Sequence, residues 1–242
     1  MKVYKFGGAS VRSADGVRNL LSVVKQVSEP LVVIVSAMGK TTNAMESVVE
    51  MLVSGDRQGA KETFAQTEAY HREISDGLFG KGICPDSVAG LFGEVKNLID
   101  GTEAHHEDYD LWYDRVVSYG ELISTRIISE FMAREGVPNL WLDMRRVFLT
   151  DGRHRDATID LDRSAPLLCD AISKATIENV FIGQGFIGGT PDGYTTTLGR
   201  EGSDYAAAAA AYMTGATDGT IWKDVDGILN ADPRIFPDAV HI

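Results

Sequence analysis

Residues 195–204, TTTLGREGSD, place an arginine, a glutamate and an aspartate in a stretch rich in hydroxyls and glycine, just ahead of the run YAAAAAAYM. A guanidinium is a planar fork that meets a carboxylate or phosphate with two parallel hydrogen bonds. The first turn of a helix adds unpaired N–H groups and a positive dipole end. Arg200 beside the start of the Ala-rich helix is therefore a candidate anion site. Ser203 or Asp204 is expected to cap that helix from a flexible loop.

Four other stretches carry chemistry. KFGGAS (5–10) sets Lys5 before Gly7 and Gly8, so backbone N–H groups and one cation could approach a phosphate. It fits neither GxGxxG nor GxxxxGK[ST], and a plain strand-to-helix turn is the alternative. SAMGKTTN (36–43) offers Ser36, Thr41, Thr42 and Asn43 to a small polar ligand, although Thr42 or Asn43 also suits an N-cap. SYGELIS (118–124) puts a glycine beside Glu121 inside a helical pattern, at a cost of about 1 kcal/mol against alanine. Close packing that aims the carboxylate is one reading, and an exposed helix glutamate is the other. WKDVDGILNADPR (222–234) has aspartates that could hold a metal or a ribose, or simply form turns. His105 and His106 are adjacent, and adjacent helical residues diverge by about 100°, so they read as surface histidines rather than a metal pair.

These stretches need a scaffold. KVYKF (2–6), LVVIVS (31–36), NLWLD (139–143), NVFIGQGFIG (179–188) and GTIWKDVDG (219–227) read as strands, the second apolar enough to be buried on both faces. Helices are expected over 13–28, 43–54, 108–135 and 160–175, with Pro166 near the start of the last. Residues 57–107 read as two or more helices broken at GKGICPD (80–86). The alternation predicts a three-layer α/β/α fold with a mainly parallel central sheet and a helical insertion on the substrate side. The candidate loops follow strand C-terminal ends, where open α/β sheets bind ligands.

The 242 residues suffice to bury roughly 70–75% of the unfolded surface. A net charge of −12 argues against a nucleic-acid partner, so any anion site must be a local cluster of donors. Cys84 and Cys169 lack metal-ligand or redox spacing and are expected to be reduced and buried. No charged-then-apolar leader and no membrane-length apolar run stand in the sequence, which predicts a soluble, cytoplasmic protein. The closing ADPRIFPDAVHI ends in a proline-bearing loop and reads as a chain that stops before its domain is complete.

KFGGAS, SAMGKTTN, SYGELIS, TTTLGREGSD and WKDVDGILNADPR, in that order along the chain, together resemble the aspartokinases of the amino acid kinase family. The resemblance implies a single catalytic domain over 1–242, cut short before its C-terminal end and before ACT-type regulatory domains. It implies transfer of the γ-phosphoryl of Mg·ATP to the side-chain carboxylate of L-aspartate, opening lysine, threonine and methionine synthesis and, in many bacteria, that of diaminopimelate. By the same resemblance, Lys5 stabilises the transferring phosphoryl and Asp204 organises that lysine or the metal. Arg200 grips a carboxylate of aspartate, Glu121 pairs with its ammonium, and Ser36 and Thr42 hydrogen-bond it. Gly7, Gly8 and Ser203 line the phosphates, and Lys223, Asp224 and Arg234 contact nucleotide. Magnesium arrives with ATP rather than in a site of its own, and the longer protein is expected to be a homodimer.

Four positions depart from the family pattern. Glu201 stands where a glycine is usual and is expected to point outward or pair with a lysine. Ala9 replaces a threonine, Lys223 stands where threonine is often found, and Leu229 where some members carry an aromatic. The rival readings are a kinase of the same fold acting on N-acetylglutamate, glutamate, carbamate or a nucleoside monophosphate, and a non-catalytic ligand-binding module. The missing GxGxxG argues against a dinucleotide enzyme.

Overall fold

A computed structural model describes residues 1–101, 104–223, 230–233 and 235–240. The readings placed on Asp224, Leu229 and Arg234 lie outside the described residues. In chain order the strands are β1 (Lys2–Phe6), β2 (Leu31–Val35), β3 (Asn139–Leu142), β4 (Val180–Gln184), β5 (Ile187–Gly189), β6 (Thr195–Thr197) and β7 (Asp218–Trp222). The helices are α1 (Ala14–Val24), α2 (Thr41–Val53), α3 (Arg57–Phe79), α4 (Asp86–Gly101), α5 (Tyr109–Val117), α6 (Tyr119–Arg134), α7 (Leu161–Ser173) and α8 (Gly202–Thr214). Five strands form one parallel sheet in the order β3-β4-β2-β1-β7, and β5 pairs antiparallel with β6.

Period-two alternation along the central strands makes the two cores. Tyr4, Phe6, Val33, Val35 and Ile182 face α1 to α6, whereas Val3, Val32, Ile34 and Phe181 face α7 and α8. This is the expected three-layer α/β/α arrangement. The helices between β2 and β3, expected as an insertion on the substrate side, share one continuous core with the sheet. At the β7 edge, Trp222 stacks on Phe6 with ring centroids 6.0 Å apart.

Several local expectations are corrected. Helix α1 ends at Val24, short of 28, because Lys25 caps it and Gln26 and Val27 close the turn with bonds to Val23 and Val24. The stretch 108–135 is two helices broken at Ser118, whose hydroxyl donates to the Arg115 carbonyl at 3.2 Å and competes with the helical ladder. Thr195–Thr197 is a strand rather than a flexible loop. Pro166 sits in the second turn of α7, past its start.

Both cysteines are free as expected, but Cys84 is only half-buried and Cys169 is exposed. His105 and His106 are exposed. Among the described residues no group of His, Cys, Asp and Glu is placed to hold a metal, and no helix is long and apolar enough to cross a membrane.

Candidate active site

Lys5 shares a face of β1 with Val3, and that face looks toward α8. Its Nζ meets Asp204 Oδ1 at 2.6 Å, with the Lys5 side chain 9% exposed. Lys223, just past β7, comes within 3.4 Å of Asp204 Oδ2. Burial alone would raise the Asp204 pKa. The hydrogen bond and charge of Lys5, followed by those of Lys223, hold it below the usual carboxylate value.

Asp204 reaches Lys5 because α8 starts early. The N-cap is Glu201, with φ of 58° and no side-chain cap bond, and Gly202 N donates to Gly199 O at 3.0 Å. Neither Ser203 nor Asp204 caps this helix, which corrects that expectation. Both lie in its first turn, and the Asp204 carboxylate is free to turn toward the lysines. The same thing happens at α2. Lys40 is its N-cap, and neither Thr42 nor Asn43 fills that role. Thr41 donates to Met38 O at 2.6 Å, while Thr42 lines the site.

Glu121 sits in the first turn of α6, 2% exposed, so the exposed-glutamate reading is wrong. A Cβ on Gly120 would stand 3.0 Å from Ala37 Cβ and 3.3 Å from Thr41 Cγ2, so the glycine lets α6 close on the 36–41 loop. Ser124 adds a bond to Ser36 O at 2.8 Å. Glu121 Oε1 accepts from the Ala37 amide at 3.1 Å, and Oε2 is buried with no partner. Burial pushes its pKa up to about 8, opposed by the Ala37 amide.

Gly8 has its own reason to be glycine. A Cβ there would overlap the Ala37 carbonyl oxygen, and Gly8 O accepts from Gly39 N at 3.0 Å. The loops after β1 and β2 thus lie against each other. Gly7 faces the Lys5 ammonium, which would be 3.7 Å from a Cβ at that position.

These groups enclose a cavity of about 260 Å³ lined by Lys5, Ser36, Thr42, Glu121, Phe186, Ser203 and Asp204, with Gly199, Glu201 and Gly202 at its α8 end. Arg200 is exposed, flanked by two of these lining residues but not itself among them. Glu201 is exposed and, among the described residues, has no lysine partner. Phe186 was missed from the sequence. It sits in the left-handed region at φ 64°, uncommon for a bulky residue, with its ring against Gly202. The Gly185-Phe186 pair after the apolar β4 was its only signal.

The cavity therefore holds two kinds of recognition. A buried cation, itself steadied by Asp204, faces the N-terminus of α8, a setting for a transferring anion. A buried carboxylate with one oxygen unsatisfied faces the same space, a setting for an ammonium.

The profile of the amino acid kinase family matches residues 1–242. Lysine-sensitive aspartokinase 3 of Escherichia coli (strain K12) is 33% identical over 99% of this chain and 52% of its own length. The aspartokinase of Chlamydia pneumoniae is 31% identical over 99% of this chain and 51% of its own length. The crystal structure of E. coli aspartokinase III in complex with aspartate and ADP superposes with a TM-score of 0.86 at 31% identity, covering 100% of this chain and 53% of that one. The chain thus spans about half the length of these relatives.

Proposed function

Because the chain belongs to the amino acid kinase family, we propose that it transfers the γ-phosphoryl of ATP to the side-chain carboxylate of L-aspartate, giving 4-phospho-L-aspartate. The observation that carries this reading is the pairing, in one cavity, of the Lys5–Asp204 ion pair with the orphaned Glu121 oxygen. An acceptor with both a carboxylate and a free ammonium uses both features. An acetylated amine leaves the Glu121 oxygen unpaired, which argues against N-acetylglutamate. The solved relative that binds aspartate and ADP supports the same reading.

Carboxylate and triphosphate are both anionic, so catalysis here is positioning and charge neutralisation. Lys5 holds its ammonium at the transferring phosphoryl, and Asp204 fixes the direction of that ammonium. Glu121 takes the substrate ammonium, while Ser36 and Thr42 offer hydroxyls to its polar groups. Arg200 turns in from the rim to the substrate carboxylate. Ser203 and the loop of Gly7 and Gly8 face the phosphates, and Lys223 reaches the nucleotide from the end of β7, with Asp224 and Arg234 assigned to the same ligand. Magnesium would arrive with the nucleotide and would supply charge neutralisation there, and Asp204 is the carboxylate this chain would offer it. This reading makes 1–242 one catalytic domain of a cytoplasmic, homodimeric biosynthetic enzyme that leads toward lysine, threonine and methionine.

A hydroxylamine trap tests it, because an acyl phosphate gives a coloured hydroxamate. Signal with L-aspartate and Mg·ATP, absent with N-acetylglutamate, glutamate and carbamate, is expected. Signal with another acid alone would reassign the substrate, and ligand binding without ATP turnover would favour the binding-module reading.

A further inference from the structure

Asp114 lies on α5, the helix before the one that carries Glu121, and is fully buried. Nothing in the phosphoryl-transfer reading uses it. Its carboxylate nevertheless gathers three separate donors. Thr197 Oγ1, in β6, donates to Oδ1 at 2.6 Å, and His154 Nδ1 lies 2.6 Å from Oδ2. The Arg155 amide reaches both oxygens at 3.2 Å. Burial raises the Asp114 pKa, and these same three donors oppose the shift.

The two segments held by Asp114 also hold each other. Ala157 N donates to Thr197 O at 3.0 Å, and the hydroxyls of Thr150 and Thr196 are 2.8 Å apart. Arg155 is itself left-handed, with φ of 64°. Its guanidinium lies 4.5 Å from the Tyr113 ring centroid and bonds Asp110 at 3.0 Å, both on α5. A non-glycine residue keeps that conformation only where its surroundings over-determine it. The Arg155 carbonyl then meets the next turn, since a Cβ on Gly199 would stand 3.0 Å from it. Gly199, with φ of 72°, immediately precedes Arg200.

We propose that Asp114 is a positioning residue for the acceptor end of the site: by binding Thr197, His154 and the Arg155 amide into one buried cluster, it sets the turn that carries Arg200. The inference rests on the reading of Arg200 as the carboxylate grip. The chain of contact runs from α5 through β6 and the 153–156 loop to Gly199, without touching Lys5 or Asp204. Displacing a binding group by an ångström in an active site costs about a hundredfold in rate or affinity. That cost should fall on the acid acceptor and spare the nucleotide.

Thr197→Val removes one donor at nearly constant shape, and Thr197→Ser returns it. In Thr197→Val, the KM for L-aspartate is expected to rise about tenfold with the KM for ATP within about twofold. Amide exchange across 198–201 should speed up while the interior of α8 keeps its protection. Thr197→Ser should recover most of both, and His154→Phe should repeat the Thr197→Val pattern from the other oxygen. Equal effects on both substrates, unchanged exchange at 198–201, or a serine variant as impaired as the valine one would each overturn the inference. A wild-type chain with no response to aspartate would remove the functional reading instead, and the exchange data alone would then decide whether Asp114 holds the turn.

Discussion

Lys5 Nζ and Asp204 Oδ1 stand 2.6 Å apart, one on the first strand of the sheet and the other in the first turn of the last helix. The ammonium is thus held by a fixed carboxylate before any ligand arrives. Such preorganisation is what makes a charge effective on a developing transition state. Lys5→Met is expected to lower kcat with L-aspartate by about a hundredfold to a thousandfold. Lys223 is half-exposed and 3.4 Å from the same carboxylate, so Lys223→Thr should cost less than about tenfold. Hydroxamate assays of the two variants check the ranking, and a larger loss at Lys223 would move the catalytic cation to β7.

On the proposed function, Glu121 makes aspartate binding a proton-linked event. Its folded pKa of about 8 lies above the ordinary 4.5, so its stabilising contribution is complete below 4.5 and is lost as the pH rises through about 8. A ligand ammonium at Oε2 favours the ionised form. Aspartate binding at neutral pH should therefore release a proton, seen as binding heats that differ between buffers of different ionisation enthalpy. Glu121→Gln should abolish that difference and weaken aspartate about tenfold to a hundredfold. Identical heats in every buffer for the wild type would show Glu121 already ionised.

Glu201 offers a substitution expected to help. It is in the left-handed region at φ 58° and adds a carboxylate to the rim of the cavity that the proposed function gives to two anions. Glu201→Gly relieves the backbone but loosens the unfolded chain, so stability should change by no more than about 1 kcal/mol. The KM values for ATP and aspartate should fall, more at low ionic strength than at high. A rise in either KM at low salt would mean the carboxylate contributes to binding.

His71 is the acid-sensitive point of the helical face. It is fully buried, its Nδ1 on Thr67 O at 2.8 Å and its Nε2 3.4 Å from the Thr41 hydroxyl. Burial drops its pKa from 6.5 to about 4, against the bond to Thr67. The unfolded chain therefore binds a proton that the folded one refuses, and stability present above pH 6.5 is lost as the pH falls toward 4. The His71 contribution should fall by about 2 kcal/mol from pH 7 to pH 5, against the opposite trend set by Glu121, so it is read as the difference between the wild type and His71→Phe. Urea denaturation at the two pH values measures both, and a wild-type slope equal to that of the variant would count against the assignment.

The five sheet strands and most of the long helices were legible because their apolar periodicity is strong, although α5 and α6 read as one helix. KFGGAS and SAMGKTTN stood out because each follows a strand end, β1 and β2, whereas SYGELIS opens a helix, α6, that follows another helix. What the sequence hid was set by tertiary contact. Thr195–Thr197 becomes a strand because β5 is there to pair with it. Asp204 looks like an N-cap until the left-handed turn at Glu201 starts α8 sooner. Glu121 shows no outward sign of burial, since the decisive partner, the Ala37 amide, comes from a distant loop. Asp114 was invisible for the same reason: its three donors come from β6 and the 154–155 loop.

The strand order also has a consequence in time. Strand β1 lies between β2 and β7, with Lys2 opposite Leu31 on one side and Asp218 on the other. A growing chain delivers the first neighbour almost at once and the second only after nearly all the described residues have been made. Contacts so distant along the chain are slow to form, and an unpaired strand edge is open to wrong partners meanwhile. The helices of the α1–α6 face can consolidate during synthesis. The Lys5–Asp204 pair cannot, so a nascent chain acquires its shape well before its reactive pair.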